Sequence, residues 1–221
     1  AGECVSAERL TEIFLELQEK GANNINLVTP GHFVPQIITA LTAAKAQGLT
    51  LPVIYNTGSY EKTETLRRLE GLIDIYLPDF KYYSADAAKR YSNAPDYIET
   101  AKQALETMVR QIGKPQFDDS GIMQKGVIVR HLILPGRYDE SKKLLAYLHK
   151  QYGDDIYISL MNQYTPFAQA EHYPELNCKI PQKIYDQIID YAVELGIENG
   201  FVQEEGTAEE SFIPNFDGQG V

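Results

Sequence analysis

Polar residues and glycines follow the apolar stretches of this 221-residue sequence at regular intervals. Chemistry at these points would use hydroxyl, amide, carboxylate, ammonium and guanidinium groups held beside exposed backbone. The positions concerned are Thr29-Pro30-Gly31-His32, Asn56-Thr57-Gly58, Asp79-Phe80-Lys81, Arg130-His131 and Asn162-Gln163-Tyr164. Because ligands bind at the carboxyl ends of parallel strands, we expect these residues to line one site if the stretches are parallel strands.

Asp79 and Lys81 are two residues apart, so their side chains share a face of an extended chain. Together they supply an acceptor and a donor that can hold ribose hydroxyls or a carboxylate. Taken alone, the pair favours a plainer interpretation, an ion pair exposed to water at a strand end.

Arg130 interrupts an apolar stretch, and a guanidinium there needs an anion because an unpaired buried charge is costly. A protein carboxylate or a ligand carboxylate would serve equally. His131 points to the opposite face of the same strand, where a structural role is the better interpretation. The run of residues 29–32 places main-chain groups beside Gly31, and both a zwitterion-binding loop and a simple tight turn fit it.

Several classes of function are disfavoured. The formal net charge of −11 opposes binding to nucleic acid or to an anionic membrane surface. No apolar run approaches the roughly 20 residues of a membrane span. The four histidines lack metal-site spacing, and GxGxxG, Walker A and GxSxG motifs are absent. Cys4 and Cys178 are far apart, which predicts a reducing, cytoplasmic compartment.

Apolar periodicity predicts alternating strands and helices across the chain. The predicted strands are residues 24–29, 51–56, 72–77, 127–134, 156–161 and 201–202. The predicted helices are residues 7–20, 35–47, 61–70, 94–112, 141–152 and 181–195, and residues 114–124 are predicted to be turn-rich. This alternation is typical of βαβ units and a parallel sheet, which leaves an open doubly wound sheet or a barrel.

Two longer runs resemble a known family. Residues 26–36, Asn-Leu-Val-Thr-Pro-Gly-His-Phe-Val-Pro-Gln, are similar to a strand segment of bacterial proteins related to pyruvate formate-lyase-activating enzyme. Residues 200–208 and 210–217 are similar to the tail of the same group, and Asp79-Phe80-Lys81 resembles its aspartate-x-lysine pair. The resemblance covers nearly the whole chain and identifies it as similar to the radical S-adenosylmethionine superfamily.

The resemblance implies an α/β fold, a partial parallel (β/α)6 barrel that lacks its first strand, in a single domain of residues 1–221 with a tail from about 200. It implies S-adenosylmethionine and a [4Fe–4S] cluster that cleaves it reductively to a 5′-deoxyadenosyl radical, which takes hydrogen from a partner glycine. Matched to the family's motifs, Thr29, Pro30, Gly31 and His32 stand at the methionine-binding segment. Asn56 and Thr57 stand near the sulfonium, Asp79 and Lys81 near ribose and carboxylate, and Arg130 near the cofactor or the substrate loop.

One departure from the family is decisive. The CxxxCxxC motif that anchors the cluster is absent, and neither Cys4 nor Cys178 is assigned as a ligand. We therefore expect this chain alone to hold no cluster and to be inactive, with the cluster in the full-length protein. The implied partners are a glycyl-radical enzyme or another protein substrate, and an electron donor such as flavodoxin or ferredoxin.

Two other functions remain open. The chain would serve as a non-catalytic module that binds S-adenosylmethionine or a protein, or as a lyase that forms a Schiff base through Lys81. The adjacent Asp79 disfavours the lyase, because a carboxylate favours the protonated amine and Schiff bases form from the neutral amine.

Overall fold

The computed structural model describes residues 4–166 and 172–203. Its helices are α1 Ala7–Glu19, α2 Val34–Ala46, α3 Thr63–Arg68, α4 Ala85–Ser92, α5 Tyr97–Ile112, α6 Tyr138–Tyr152 and α7 Gln182–Glu194. Its strands are β1 Ile25–Val28, β2 Val53–Thr57, β3 Ile75–Pro78, β4 Gln116–Phe117, β5 Met123–Leu132, β6 Tyr157–Met161 and β7 Gly200–Val202. Short 3₁₀ helices occupy Pro30–Phe33, Gly153–Asp155 and Pro174–Leu176. None of the described helices is long and apolar enough to cross a membrane.

The strands form one sheet in the order β1-β2-β3-β5-β6-β7, and all five of these pairings are parallel. Strand β4 is an antiparallel addition to β5. In a doubly wound sheet the strand order reverses at a switch point, whereas here neighbours follow chain order as in a barrel. Among the described residues β1 does not pair with β7, so the sheet is an open, partial barrel, as predicted.

The two faces of the sheet differ in cover. Tyr55, Tyr76 and Val127 are fully buried on the helix-covered face, and Tyr76 Oη donates to Gln111 Oε1 of α5 at 2.7 Å. The other side, called the open face below, includes the aligned residues Val28, Asn56 and Leu77. Val28 is 66% exposed there, so the strands present a partly solvated surface on this side.

All six predicted parallel strands are present, but three expectations about local structure were wrong. Helix α4 lies in a stretch with no predicted element; its Ser84 cap accepts from Ala87 N–H, and only two small alanines are buried. Strand β4 lies within the predicted turn region, and its side chains are exposed, so no apolar pattern marks it. The long helix begins at Tyr97 rather than at residue 94. The tail resemblance over residues 204–217 lies outside the described residues.

His131 fastens β5 to two other parts of the covered face, which confirms its structural interpretation. It is 3% exposed, its Nδ1 lies 2.8 Å from Phe80 O, and its Nε2 lies 2.8 Å from Ser141 Oγ. A neutral ring satisfies both contacts by donating to the carbonyl and accepting from the hydroxyl. Burial lowers the pKa of His131, and the hydrogen bond to Phe80 offsets this only in part.

We predict that His131 makes the fold acid-sensitive. The unfolded chain takes up a proton near pH 6.5 and the folded chain does so only at lower pH, so the free energy of unfolding falls as the pH drops below about 6.5. Urea unfolding between pH 7.5 and 5.5 should show a weaker pH dependence in His131→Gln than in the parent. The exposed His32→Gln variant is the control, and identical profiles for all three proteins would contradict the prediction.

Candidate ligand site at the strand ends

Backbone hydrogen bonds carry the sheet past the ends of its strands and into the residues singled out above. Thr29 N–H donates to Asn56 O, Asp79 N–H donates to Thr57 O, and Phe80 N–H donates to Arg130 O, each at 2.8 Å. These bonds place the ends of β1, β2, β3 and the upper part of β5 side by side. The structure therefore brings the predicted residues of four successive strands to one edge of the sheet.

Arg130 is held by two neighbouring strands. Its Nε and Nη2 lie 2.7 and 2.6 Å from Asp79 Oδ1, and Nη2 also donates to Asn56 Oδ1 at 2.8 Å. The Asp79 and Arg130 side chains are about one-quarter exposed, at 24% and 27%. Of the two anions that the sequence left open for Arg130, the protein carboxylate is the one present.

Tyr97, at the start of α5, joins the ends of β2 and β3 from the covered side. Its hydroxyl accepts from Lys81 N–H at 2.9 Å and lies 2.8 Å from Asp79 O and 3.2 Å from Gly58 O. Burial raises the pKa of Tyr97, so the hydroxyl keeps the proton that it directs to these carbonyls. Sequence analysis missed this residue, because an aromatic at the start of an amphipathic helix gives no signal of a polar partner 18 residues away.

Two glycines at adjacent strand ends are each covered by a charged side chain. A Cβ atom on Gly31 would lie 3.1 Å from Glu61 Oε1, and a Cβ atom on Gly58 would lie 3.7 Å from Lys81 Nζ. Glu61 Oε1 also accepts from Thr57 Oγ1 at 2.7 Å and from Tyr55 Oη at 3.2 Å. Opposite charges thus lie over the backbone at the ends of β1 and β2.

The run of residues 29–32 is mostly exposed at the end of β1. Thr29 has φ 51°, in the left-handed region, and Pro30 starts the following 3₁₀ helix with its ring buried. Thr29, Gly31 and His32 are exposed. The side chains of Thr29 and His32 form no hydrogen bond with any other residue that the structure describes, so their polar atoms are accessible.

The residues after β6 have a structural role in the described part of the chain. Tyr164 Oη donates to Leu176 O at 2.9 Å in the interior. Gln203 accepts from Asn162 N–H at 3.0 Å and donates to Gln163 Oε1 at 3.1 Å, so it ties β6 to the residue after β7.

The chain's own residues do not fit an iron–sulfur cluster. Such a cluster needs at least three thiolate ligands, and the sequence contains only Cys4 and Cys178, which are both exposed. Across residues 4–166 and 172–203, no three histidine, cysteine or acidic side chains are grouped to hold a metal ion. The strand-end side chains are donors and acceptors suited to a polar organic ligand instead.

Solved structures share this architecture. The chain superposes on a domain of pyruvate-formate lyase-activating enzyme from Bacteroides vulgatus with a TM-score of 0.58 and 14% identity, covering 83% of this chain and 100% of that one. It also matches Streptococcus suis SuiB bound to S-adenosylmethionine with a TM-score of 0.59 and 14% identity, over 97% of this chain and 48% of that one. The chain has the radical S-adenosylmethionine fold. This confirms the fold that the resemblance implied.

Sequence comparison adds one relative of this radical S-adenosylmethionine fold. An uncharacterized protein of Methanocaldococcus jannaschii is 24% identical over 178 residues, which are 80% of this chain and 48% of that protein. The chain therefore spans about half the length of the curated relative it matches. No protein-family model matches the chain.

We predict that the Asp79–Arg130 pair couples β3 to β5. Arg130→Met should lower the free energy of unfolding by about 1–3 kcal/mol, because it leaves the Asp79 carboxylate and the Asn56 carbonyl without their donor. A double-mutant cycle with Asp79→Asn, measured by urea unfolding, should give a coupling energy of about 0.5–3 kcal/mol.

The exposed Glu99–Lys102 pair on α5 serves as the control for this cycle. Its coupling should stay below about 1 kcal/mol, as is usual for surface ion pairs. Equal coupling energies for the two pairs would show that the partly buried site adds nothing to the Asp79–Arg130 interaction.

Proposed function

We propose that this chain is the cofactor- and partner-binding body of a radical S-adenosylmethionine enzyme of the glycyl-radical-activating type. The observation that supports the proposal most directly is the meeting of four successive strand ends on an open partial barrel. Carboxylate, ammonium, amide and hydroxyl groups lie at this edge together with exposed backbone. Both structural neighbours support it further, since one is an activating-enzyme domain and the other was solved with S-adenosylmethionine.

The residues present fit S-adenosylmethionine. Lys81 Nζ lies over a glycine backbone and, in the described residues, forms no ion pair, so it is the cation available to a methionine carboxylate. Asn56 and Asp79 offer an amide and a carboxylate for the ribose hydroxyls, and Thr57 lies on the sulfonium side. In this assignment the backbone of residues 29–32 lies beside the methionine ammonium.

Arg130 acts in this proposal as a positioning residue. Its guanidinium already contacts Asp79 and Asn56, so it orients both side chains toward the ligand. A guanidinium that spans two strands fixes the spacing of the groups that would hold the ribose.

The open face suits a protein partner. Tyr157 and Phe201 stack with ring centroids 5.4 Å apart, and Phe117 meets Tyr157 edge-on at 5.5 Å. Phe117 is 42% and Phe201 47% exposed, so an apolar surface is available to a segment of another protein. Such a segment would be the glycine loop of a glycyl-radical enzyme or another protein substrate.

The cluster belongs to residues that this sequence does not contain. Reductive cleavage of S-adenosylmethionine and hydrogen abstraction are accordingly proposed for the full-length protein, with flavodoxin or ferredoxin as the electron donor. The lack of cluster ligands here keeps a second candidate, a non-catalytic module that binds S-adenosylmethionine or protein. A Schiff-base role for Lys81 has less support, because the side chain is exposed rather than desolvated.

We predict that Lys81 and Asp79 contribute to S-adenosylmethionine binding. Ligand-observed NMR titration of this chain should detect weak binding, and Lys81→Met or Asp79→Asn should weaken it about tenfold through loss of one charged hydrogen bond. Lys89→Met, an exposed lysine on α4, is the matched control and should bind like the parent. In a longer protein with a CxxxCxxC segment, the same two variants should also slow reductive cleavage; parent-like behaviour of both would refute the site.

We further predict that the chain as given assembles no stoichiometric [4Fe–4S] cluster. Anaerobic reconstitution with iron and sulfide, followed by gel filtration and iron analysis, should leave far less than four irons per chain. The reason is the shortage of thiolates. A full cluster that survives filtration, and is lost in a Cys4→Ser Cys178→Ser variant, would contradict the expectation.

A further inference from the structure

Glu61 is a carboxylate with neutral partners only. Thr57 and Tyr55 both donate to its Oε1 atom, at 2.7 and 3.2 Å. Its Oε2 atom accepts no hydrogen bond, and no lysine, arginine or histidine forms an ion pair with it, within the part of the chain that the structure describes. Burial, with the neighbouring Glu61 charge, raises the pKa of Tyr55, so that hydroxyl remains a donor. One oxygen of Glu61 is thus fixed in place and the other is free.

The carboxylate lies directly over the end of β1. A Cβ atom on Gly31 would be 3.1 Å from Glu61 Oε1 and 3.5 Å from Oε2. Gly31 does not have a positive φ, so its backbone would accept any residue, and space alone excludes a side chain. The glycine therefore leaves room for the carboxylate to face the exposed run of residues 29–32.

A cation lies over the next strand end. Lys81 Nζ is 3.7 Å from the point where a Gly58 side chain would begin, three residues before Glu61. The two opposite charges do not form an ion pair with each other. A ligand that carries an ammonium and a carboxylate on one carbon atom complements both, whereas a simple anion or cation complements only one.

We propose that Glu61 is the acceptor for the α-ammonium group of the ligand, opposite Lys81, which takes its carboxylate. This inference rests on the proposed function, because it assigns one end of the S-adenosylmethionine site. A partly buried carboxylate without a counterion is unfavourable, and an ammonium bound to Oε2 supplies both the missing charge and the missing donors. The site thereby selects an α-amino acid end rather than a nucleoside alone.

The experiment compares two ligands that differ in this end. S-adenosylmethionine carries the α-amino acid group, and 5′-methylthioadenosine lacks it. Affinities are measured by ligand-observed NMR on the chain as given, with thermal unfolding to confirm that each variant is folded. Glu61→Gln should weaken S-adenosylmethionine binding about tenfold, the loss expected for one charged hydrogen bond, and should leave 5′-methylthioadenosine binding unchanged.

Two further variants sharpen the result. Gly31→Ala places a methyl group against the Glu61 carboxylate and should produce the same selective loss without altering any charge. Glu64→Gln removes an identical charge from an exposed position three residues away and should bind both ligands like the parent.

The possible failures are distinguishable. If Glu61→Gln retains full S-adenosylmethionine affinity, or loses both ligands equally, the ammonium assignment is overturned while the proposed function stands. If the parent binds neither ligand, the proposed function is overturned, and the assignment of Glu61 falls with it.

Discussion

One guanidinium sets the spacing of the strand ends on the open face. Arg130 extends from β5 across β3 to Asp79 and on to Asn56 at the end of β2. A positive charge in an otherwise apolar strand is tolerable only with such partners, because desolvation must be offset by close, well-aligned contacts. The same contacts engage Arg130, so Lys81 remains as the strand-end cation in a position to meet an anionic ligand group.

The covered face supports this arrangement from behind. Tyr97 binds the main chain at Gly58, Asp79 and Lys81, and His131 binds the carbonyl of Phe80, between the two polar residues of that run. Buried side chains thus fix the backbone whose neighbouring residues face the ligand. Groups held by a rigid second layer lose little freedom on binding, and this is the condition under which weak individual contacts give selectivity.

Much of the fold was predictable from sequence because its elements carry strong apolar patterns. Each parallel strand is a short apolar run, and the polar residues that follow had to meet once the strands were parallel. Helix α4 and strand β4 escaped because they bury almost no large side chain. Glu61 escaped for another reason: its contact with Gly31 joins residues 30 positions apart, and neither residue type nor spacing announces it. The partner of Arg130 was likewise undecided, since Asp79 and a ligand carboxylate satisfy the same rule.

Thr29 has a consequence for the entropy of binding. It is a β-branched residue at φ 51°, a conformation that costs an L-residue about 1–2 kcal/mol relative to the right-handed region. Glycine would relieve that cost in the folded chain but would add freedom to the unfolded one, so the two changes largely cancel in stability. They do not cancel in the loop itself. A threonine followed by a proline restricts the backbone ahead of Gly31 to few conformations, so less loop entropy is lost when a ligand arrives.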